Sequence, residues 1–199
     1  MFRRFAGAIG RGVAQDRSGL ALVEFALLMP GLLILVLGSY EAANLILADL
    51  KLEAAAETAT DLIAQANVNQ VLQSADFTNA TNAVETVMTP FSTAAAKFKI
   101  AYASVTFSTG SPVIDWHVEV NGATAISVSS LPNGATAGNL GSATSGSTDS
   151  VVVAQVTYAY TSPMSYLLNS AYTLTESAFS RPRYVNCVPT YLNTGNVCP

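Results

Sequence analysis

The chain has 199 residues, half of them hydrophobic and only 11% charged, with a net charge of −4. Soluble domains usually carry about a quarter charged residues, so this composition argues against an ordinary freely solvated domain. The acidic balance argues against a nucleic-acid-binding surface, which has to be basic.

Charge is unevenly placed. The first 19 residues hold Arg3, Arg4, Arg11 and Arg17 against Asp16, a net +3, which leaves −7 on the remainder. Residues 1–19 read as a basic leader with no apolar pattern to pack. From Gly19 to Ala48 the chain is nearly continuous in apolar residues, with no charge between Glu24 and Glu41. A helix needs about 20 apolar residues to span a bilayer, so residues 20–48 are expected to form one transmembrane helix. A basic flank before it and an acidic body after it place the N-terminus in the cytoplasm and residues 49–199 outside the cytoplasm, on a single-pass membrane protein. A removed signal peptide is the competing reading. Its apolar core is typically about 7–15 residues, and "GSYEAANL" after this longer core offers no convincing cleavage site.

The helical pattern outlasts the membrane. Leu45, Leu52, Ala55, Ala59, Leu62, Ala66 and Val68 recur mostly at three- and four-residue steps without Gly or Pro, which predicts one helix from about Leu20 to Leu72 with an apolar stripe for the head. "DFTNATNAVETVMTPF" predicts a second helix, with Asn82 and Glu85 spaced as a capping box and Pro90 ending it. "KIAYASVTFS" then alternates, with Ala101, Ala103, Val105 and Phe107 on one side and Tyr102, Ser104 and Thr106 on the other. "VIDWHVEV" alternates as well, setting Ile114, Trp116, Val118 and Val120 against Asp115, His117 and Glu119. Two half-buried strands joined by "TGSP" make a hairpin. Residues 122–149 are a Gly/Ala/Ser/Thr-rich loop with room for a short strand at Ala125–Val128. "SVVVAQVTYAYT" is the strongest strand, with Val152, Ala154, Val156, Tyr158 and Tyr160 on one face; a short helix is expected at Pro163–Asn169 and a fourth strand in "AYTLTESAFSRPR". The fold class is α+β, a long N-terminal transmembrane helix continuing into a head with an antiparallel sheet of about four strands.

Little in the chain points to chemistry. No "G-x-S-x-G", "H-E-x-x-H" or phosphate-binding glycine loop occurs. The chain is therefore read as a non-enzyme without cofactor or metal. Asp115, His117 and Glu119 could line up as ligands on one strand face, though such a row is more often a solvated surface. Cys187 and Cys198 have ten residues between them and can close a small loop. Outside the cytoplasm a disulfide is the natural reading; free thiols or half a metal site are the alternatives.

Glu24 and Pro30 are odd residues for a plain anchor. Gly19 is followed by Leu20-Ala21-Leu22-Val23-Glu24-Phe25, behind a basic leader. This arrangement resembles the cleavage site of type IV prepilins. The resemblance implies cleavage between Gly19 and Leu20 by a membrane-embedded prepilin peptidase, methylation of the new Leu20 amine, and a role for Glu24, beside Phe25, as a register key against the amine of a neighbouring subunit. Ala21, Val23, Glu24, Phe25, Ala26, Leu27 and Pro30, a second acid at Glu41 and the Ala-rich helix after it resemble the TadE-like proteins of tight-adherence (Tad/Flp) pilus systems. The closing Val/Tyr-rich strand and a last strand ending in Arg181 or Arg183 resemble that family more loosely. The resemblance implies a pilin-like minor pseudopilin, with other pilins and pseudopilins, the inner-membrane assembly machinery and the lipid bilayer as partners, and a helix kinked at Pro30. Major pilins of these systems are far shorter and commonly carry Tyr after the Glu, so the bulk filament subunit is not implied. An uncleaved membrane-anchored adhesin or periplasmic binding protein is the alternative.

Overall fold

The computed structural model describes residues 18–67, 70–106, 112–131, 150–165 and 168–192. Helix α1 is Ser18–Ala64 and α2 is Ser74–Val87; strands β1 (Phe98–Thr106), β2 (Val113–Val120), β3 (Ser150–Tyr160) and β4 (Tyr172–Ser180) follow, with a 3-10 turn at Val128–Ser130. All pairings are antiparallel in the order β2-β1-β3-β4. The expected α+β class and four-stranded sheet are both present. The chain divides into two compact units, one up to Ala43 and one from Asn44 onward, and α1 runs through the division. The described part of the first unit is purely helical, while the second holds the sheet and α2.

Within the second unit, α1 presents Ala48, Leu52, Ala55, Ala56, Ala59 and Ile63, all buried, at helical spacing. They share one core with Ile100 and Tyr102 of β1, Trp116 of β2, the alternate residues Val152, Ala154, Val156, Tyr158 and Tyr160 of β3, and Phe77, Ala80 and Val84 of α2. Phe77 holds the far side, its ring 5.5 Å from both Tyr102 and Trp116. The buried hydroxyl of Tyr102 meets Thr81 Oγ1 at 3.1 Å. Burial pushes the Tyr102 phenol up to about 12, against the lowering effect of the Thr81 bond.

Two helix boundaries differ from the sequence expectation. Helix α1 stops at Ala64, not near Leu72. The Arg183 N–H takes the Ala64 carbonyl at 2.9 Å, and Leu72 is instead bridged to the tail through Pro189 and Tyr191. Helix α2 begins at Ser74, and its cap is Gln73, whose N–H donates to Asp76 Oδ2 at 2.7 Å. The expected capping pair, Asn82 and Glu85, sits in the helix interior; any Asn-x-x-Glu spacing fits a box, and the earlier turn has the better claim on its free N–H groups.

The sheet buries both faces of β1. Strands β2 and β3 flank β1 and each runs antiparallel to it, so they point the same way, and the connection between them has to cross β1. The described start of that connection lies over the second face: Ile126 is buried with Ala101, Ala103, Val105, Val151 and Val153. It leaves β2 through Asn121 and Gly122, both in the left-handed region, with Ala123 N–H closing the turn on Val120 O at 3.3 Å. The short strand expected at Ala125–Val128 is irregular chain that runs into the 3-10 turn, packed through Ile126 and not through a ladder. The helix expected at Pro163–Asn169 is likewise absent among its described residues: Ser165 is left-handed and bonds back to Ser162. Residues 166–167, the 107–111 part of the β1–β2 turn region, and Val68 lie outside the described residues.

Leu52, fully buried, and Leu50, 57% exposed, make a direct test of this packing. Leu52→Ala should lower the unfolding free energy of the head by about 2–5 kcal/mol, read by denaturation followed on Trp116 fluorescence. Leu50→Ala should leave it nearly unchanged.

Candidate functional site

The expected functional residues of the N-terminus fall on the first part of α1. Gly19 and Leu20 lie in its first turn, and Glu24 and Phe25 one turn further along, all exposed. Leu20 and Glu24 are four residues apart and so share a face. A Cβ on Gly19 would meet nothing within 4 Å among the described residues, so their packing does not ask for a glycine there. Glu24 makes no hydrogen bond or ion pair with a described residue. Glu41, the second acid of the resemblance, is buried at 1% exposure. Pro30 lies inside the helix, which continues through it; its missing N–H leaves the Ala26 carbonyl without its usual intrahelical donor. The helix is long and apolar enough to cross a membrane.

In the head, the row Asp115, His117, Glu119 does not stay on one face. The β1–β2 register shifts between Ser104 and Val105: Trp116 faces Ser104, Ile114 faces Val105, and Asp115 is the extra residue of a bulge. Its carboxylate accepts from Ser104 Oγ at 3.1 Å and from Thr106 Oγ1. Burial raises the Asp115 carboxyl above the usual range, and those two hydroxyls offset part of the rise. His117 Nδ1 and Glu119 Oε1 lie 2.5 Å apart on the other face. The bulge also turns Ile114 to the second core while Trp116 stays in the first. Among the described residues no group of three or more His, Cys, Asp or Glu could hold a metal ion. Cys187 is buried and no described cysteine is free; Cys198 lies outside the described residues.

Two features were not anticipated from the sequence. The first is a clamp at the end of α1, where Asp61 accepts from Ser180 Oγ at 3.1 Å and pairs with Arg183 Nη2 at 3.2 Å. Of the two arginines singled out by resemblance, Arg183 is the one that grips Asp61. The second is an acidic slot of about 400 Å³ between α1 and β4, lined by Glu53, Glu57, Asp61 and Glu176–Phe179. Glu53, Glu57 and Asp61 at four-residue steps were a legible signal for it: an acidic stripe running beside the apolar one. The Glu176 carboxyl is raised by burial first, then by the charges of Asp49 and Glu53.

A helix long and apolar enough to cross a membrane, followed by an α+β head, is consistent with a membrane-anchored, pilin-like protein. Residues 19–61 match the family model described as TadE-like protein, so the resemblance read from the residues holds over this stretch, which is helix α1 and none of the sheet. No curated protein and no solved structure matches the chain.

The raised Glu176 has a pH consequence. Its folded form favours the proton more than the unfolded chain does, so the ionised carboxylate weakens the head above the usual glutamate range, and stability is regained as pH falls. Glu176→Gln should therefore melt at a higher temperature than the wild type near neutral pH. That advantage should disappear in acid, where the wild-type side chain is itself neutral; scans at several pH values check both.

Proposed function

We propose that the chain is a minor, pilin-like structural subunit of a Tad-type pilus, used in assembly, initiation or tip formation and not as an enzyme. A prepilin-type peptidase cuts between Gly19 and Leu20, with the basic leader in the cytoplasm and the acidic head on the other side of the membrane. The observation that carries this reading is Glu24, an exposed acid one helical turn from Leu20 in an otherwise uncharged apolar run. A carboxylate in hydrocarbon costs about 2.5–3.5 kcal/mol on insertion scales and persists where it has a partner. The Leu20 amine of an adjacent, staggered helix offers that partner, and the charge pair then sets the register of a bundle that is otherwise featureless. Gly19 supports the same reading: no described residue packs against it, and a small residue there suits entry into an intramembrane peptidase.

Mass spectrometry of the mature protein should find Leu20 at the N-terminus, and Gly19→Leu should leave the chain full length. Glu24→Gln should be cleaved and retained in the membrane yet form few pili by microscopy. An uncut chain that functions normally would favour the membrane-anchored adhesin or binding protein, and normal piliation by Glu24→Gln would remove the register role.

Cys187 and Cys198 are proposed to be paired in the exported head. A disulfide closing so short a loop contributes about 2–3 kcal/mol. Alkylation of the exported protein without reductant should label no thiol; labelling of both cysteines would place them in a reducing compartment or leave them unpaired.

A further inference from the structure

Among the described residues no further strand pairs with the two edges of the sheet, β2 and β4, and these edges differ. The β2 edge is interrupted by the Asp115 bulge, a common way of blunting an edge against further pairing. Strand β4 pairs with β3 through nine unbroken partners, from Tyr172 to Ser180. No backbone hydrogen bond joins β4 to any other described segment.

The acidic slot opens onto this regular edge. It is lined by four consecutive residues, Glu176–Phe179. Successive strand residues point to opposite faces, so a groove that touches four in a row lies along the strand's edge. Its other wall is the Glu53, Glu57, Asp61 side of α1. Asp61 meets Ser180, while Glu53 acts on Glu176. From Glu53 to Asp61 the helix rises about 12 Å, and from Glu176 to Ser180 the strand advances about 13 Å. Helix and edge therefore run side by side in the same direction along the slot. Asp61 has Arg183 as counter-charge. Glu53, Glu57 and Glu176 have no cation among the described residues.

We propose that β4 is a docking edge that takes an extended segment of a second protein as a fifth strand, and that this segment carries Lys or Arg at alternate positions. Alternate residues of an added strand lie about 6.6–6.8 Å apart on one face, close to the roughly 6 Å between four-residue steps on the helix wall. Each cation then faces one acid of α1, while the backbone pairs with β4. A second copy of this chain does not fit: pairing β4 with itself would bring Glu176 and the helix acids against their own like charges. The inference rests on the head alone and stands whether or not the chain is cut or enters a pilus.

The test uses the full chain in a non-ionic detergent and short fluorescent peptides that alternate Lys with Val or Thr, with binding read by anisotropy. The Lys peptide should bind at least about tenfold more tightly than the same peptide with Glu in place of Lys, a difference of about 1.4 kcal/mol. Methylating alternate backbone nitrogens of the peptide should abolish binding, since it removes the ladder donors and leaves the charge. The double variant Glu53→Gln, Glu57→Gln should weaken binding about tenfold, while Glu85→Gln on α2, an equal kind of charge loss away from the slot, should not change it. Absence of binding, equal binding of the methylated peptide, insensitivity to the double variant, or self-association of the chain through this edge would each overturn the proposal.

Discussion

The contact on which the head depends is the small-residue face of α1 against the sheet. Ala48, Ala55, Ala56 and Ala59 carry almost no side chain, so the helix backbone comes close to β1 and β3, and Leu52 and Ile63 fill the remaining space. The sheet answers with bulk, in Tyr102, Tyr158, Tyr160 and Trp116. Small on one side and large on the other is how two layers reach interior packing density. Alanine loses no side-chain entropy in a helix, so the same residues that permit close approach also favour the element that makes it. The helix that carries the apolar N-terminal run is thus also the main support of the head.

That dual use shapes the charge distribution. A helix with one face given to the core and the other to water can carry acids on the wet face without cost to packing, and Glu53, Glu57 and Asp61 occupy it. The sheet adds Glu176 from its outer strand, and Arg183 pairs with one member of the group, Asp61. Four acids of the head thus gather beside one sheet edge, while Asp76 and Glu85 lie on α2 and Asp115 and Glu119 on β2.

The parts of the fold legible in the sequence were those decided locally. Strand β3 was readable because Val152, Ala154, Val156, Tyr158 and Tyr160 line up on one face. The apolar stripe of α1 was readable because helical spacing is short-range, and the TadE-like segment because a glycine, a glutamate and a proline stand in a recognisable order. What escaped was decided by distant partners. No Gly or Pro near Ala64 marks the end of the helix, and its last carbonyl is taken by the distant N–H of Arg183. Nothing in "VIDWHVEV" announces a bulge, since Asp115 alternates properly until Ser104 and Thr106 draw it aside. In β1 the alternation of Ala101, Ala103 and Val105 with Tyr102 suggested one buried face, whereas the crossing connection covers the second with Ile126, so both are buried. The acidic slot needed both the helix stripe, which was visible, and the placing of Glu176 beside it, which was not.

The clamp at the end of α1 has a bearing on the order in which the head can be completed. Asp61 and Ala64 wait for Ser180 and Arg183, partners more than a hundred residues later in the chain. β3 likewise reaches β1 only after a connection that crosses the sheet. Closing such distances is entropically costly, and contacts of this kind form late and slowly. A chain made from its N-terminus therefore presents an unfinished helix end and a β1–β2 hairpin still lacking β3 until nearly all of it has been made. The head is a structure completed by its last segment, and a truncation of even the final strand would leave the first helix without its terminus.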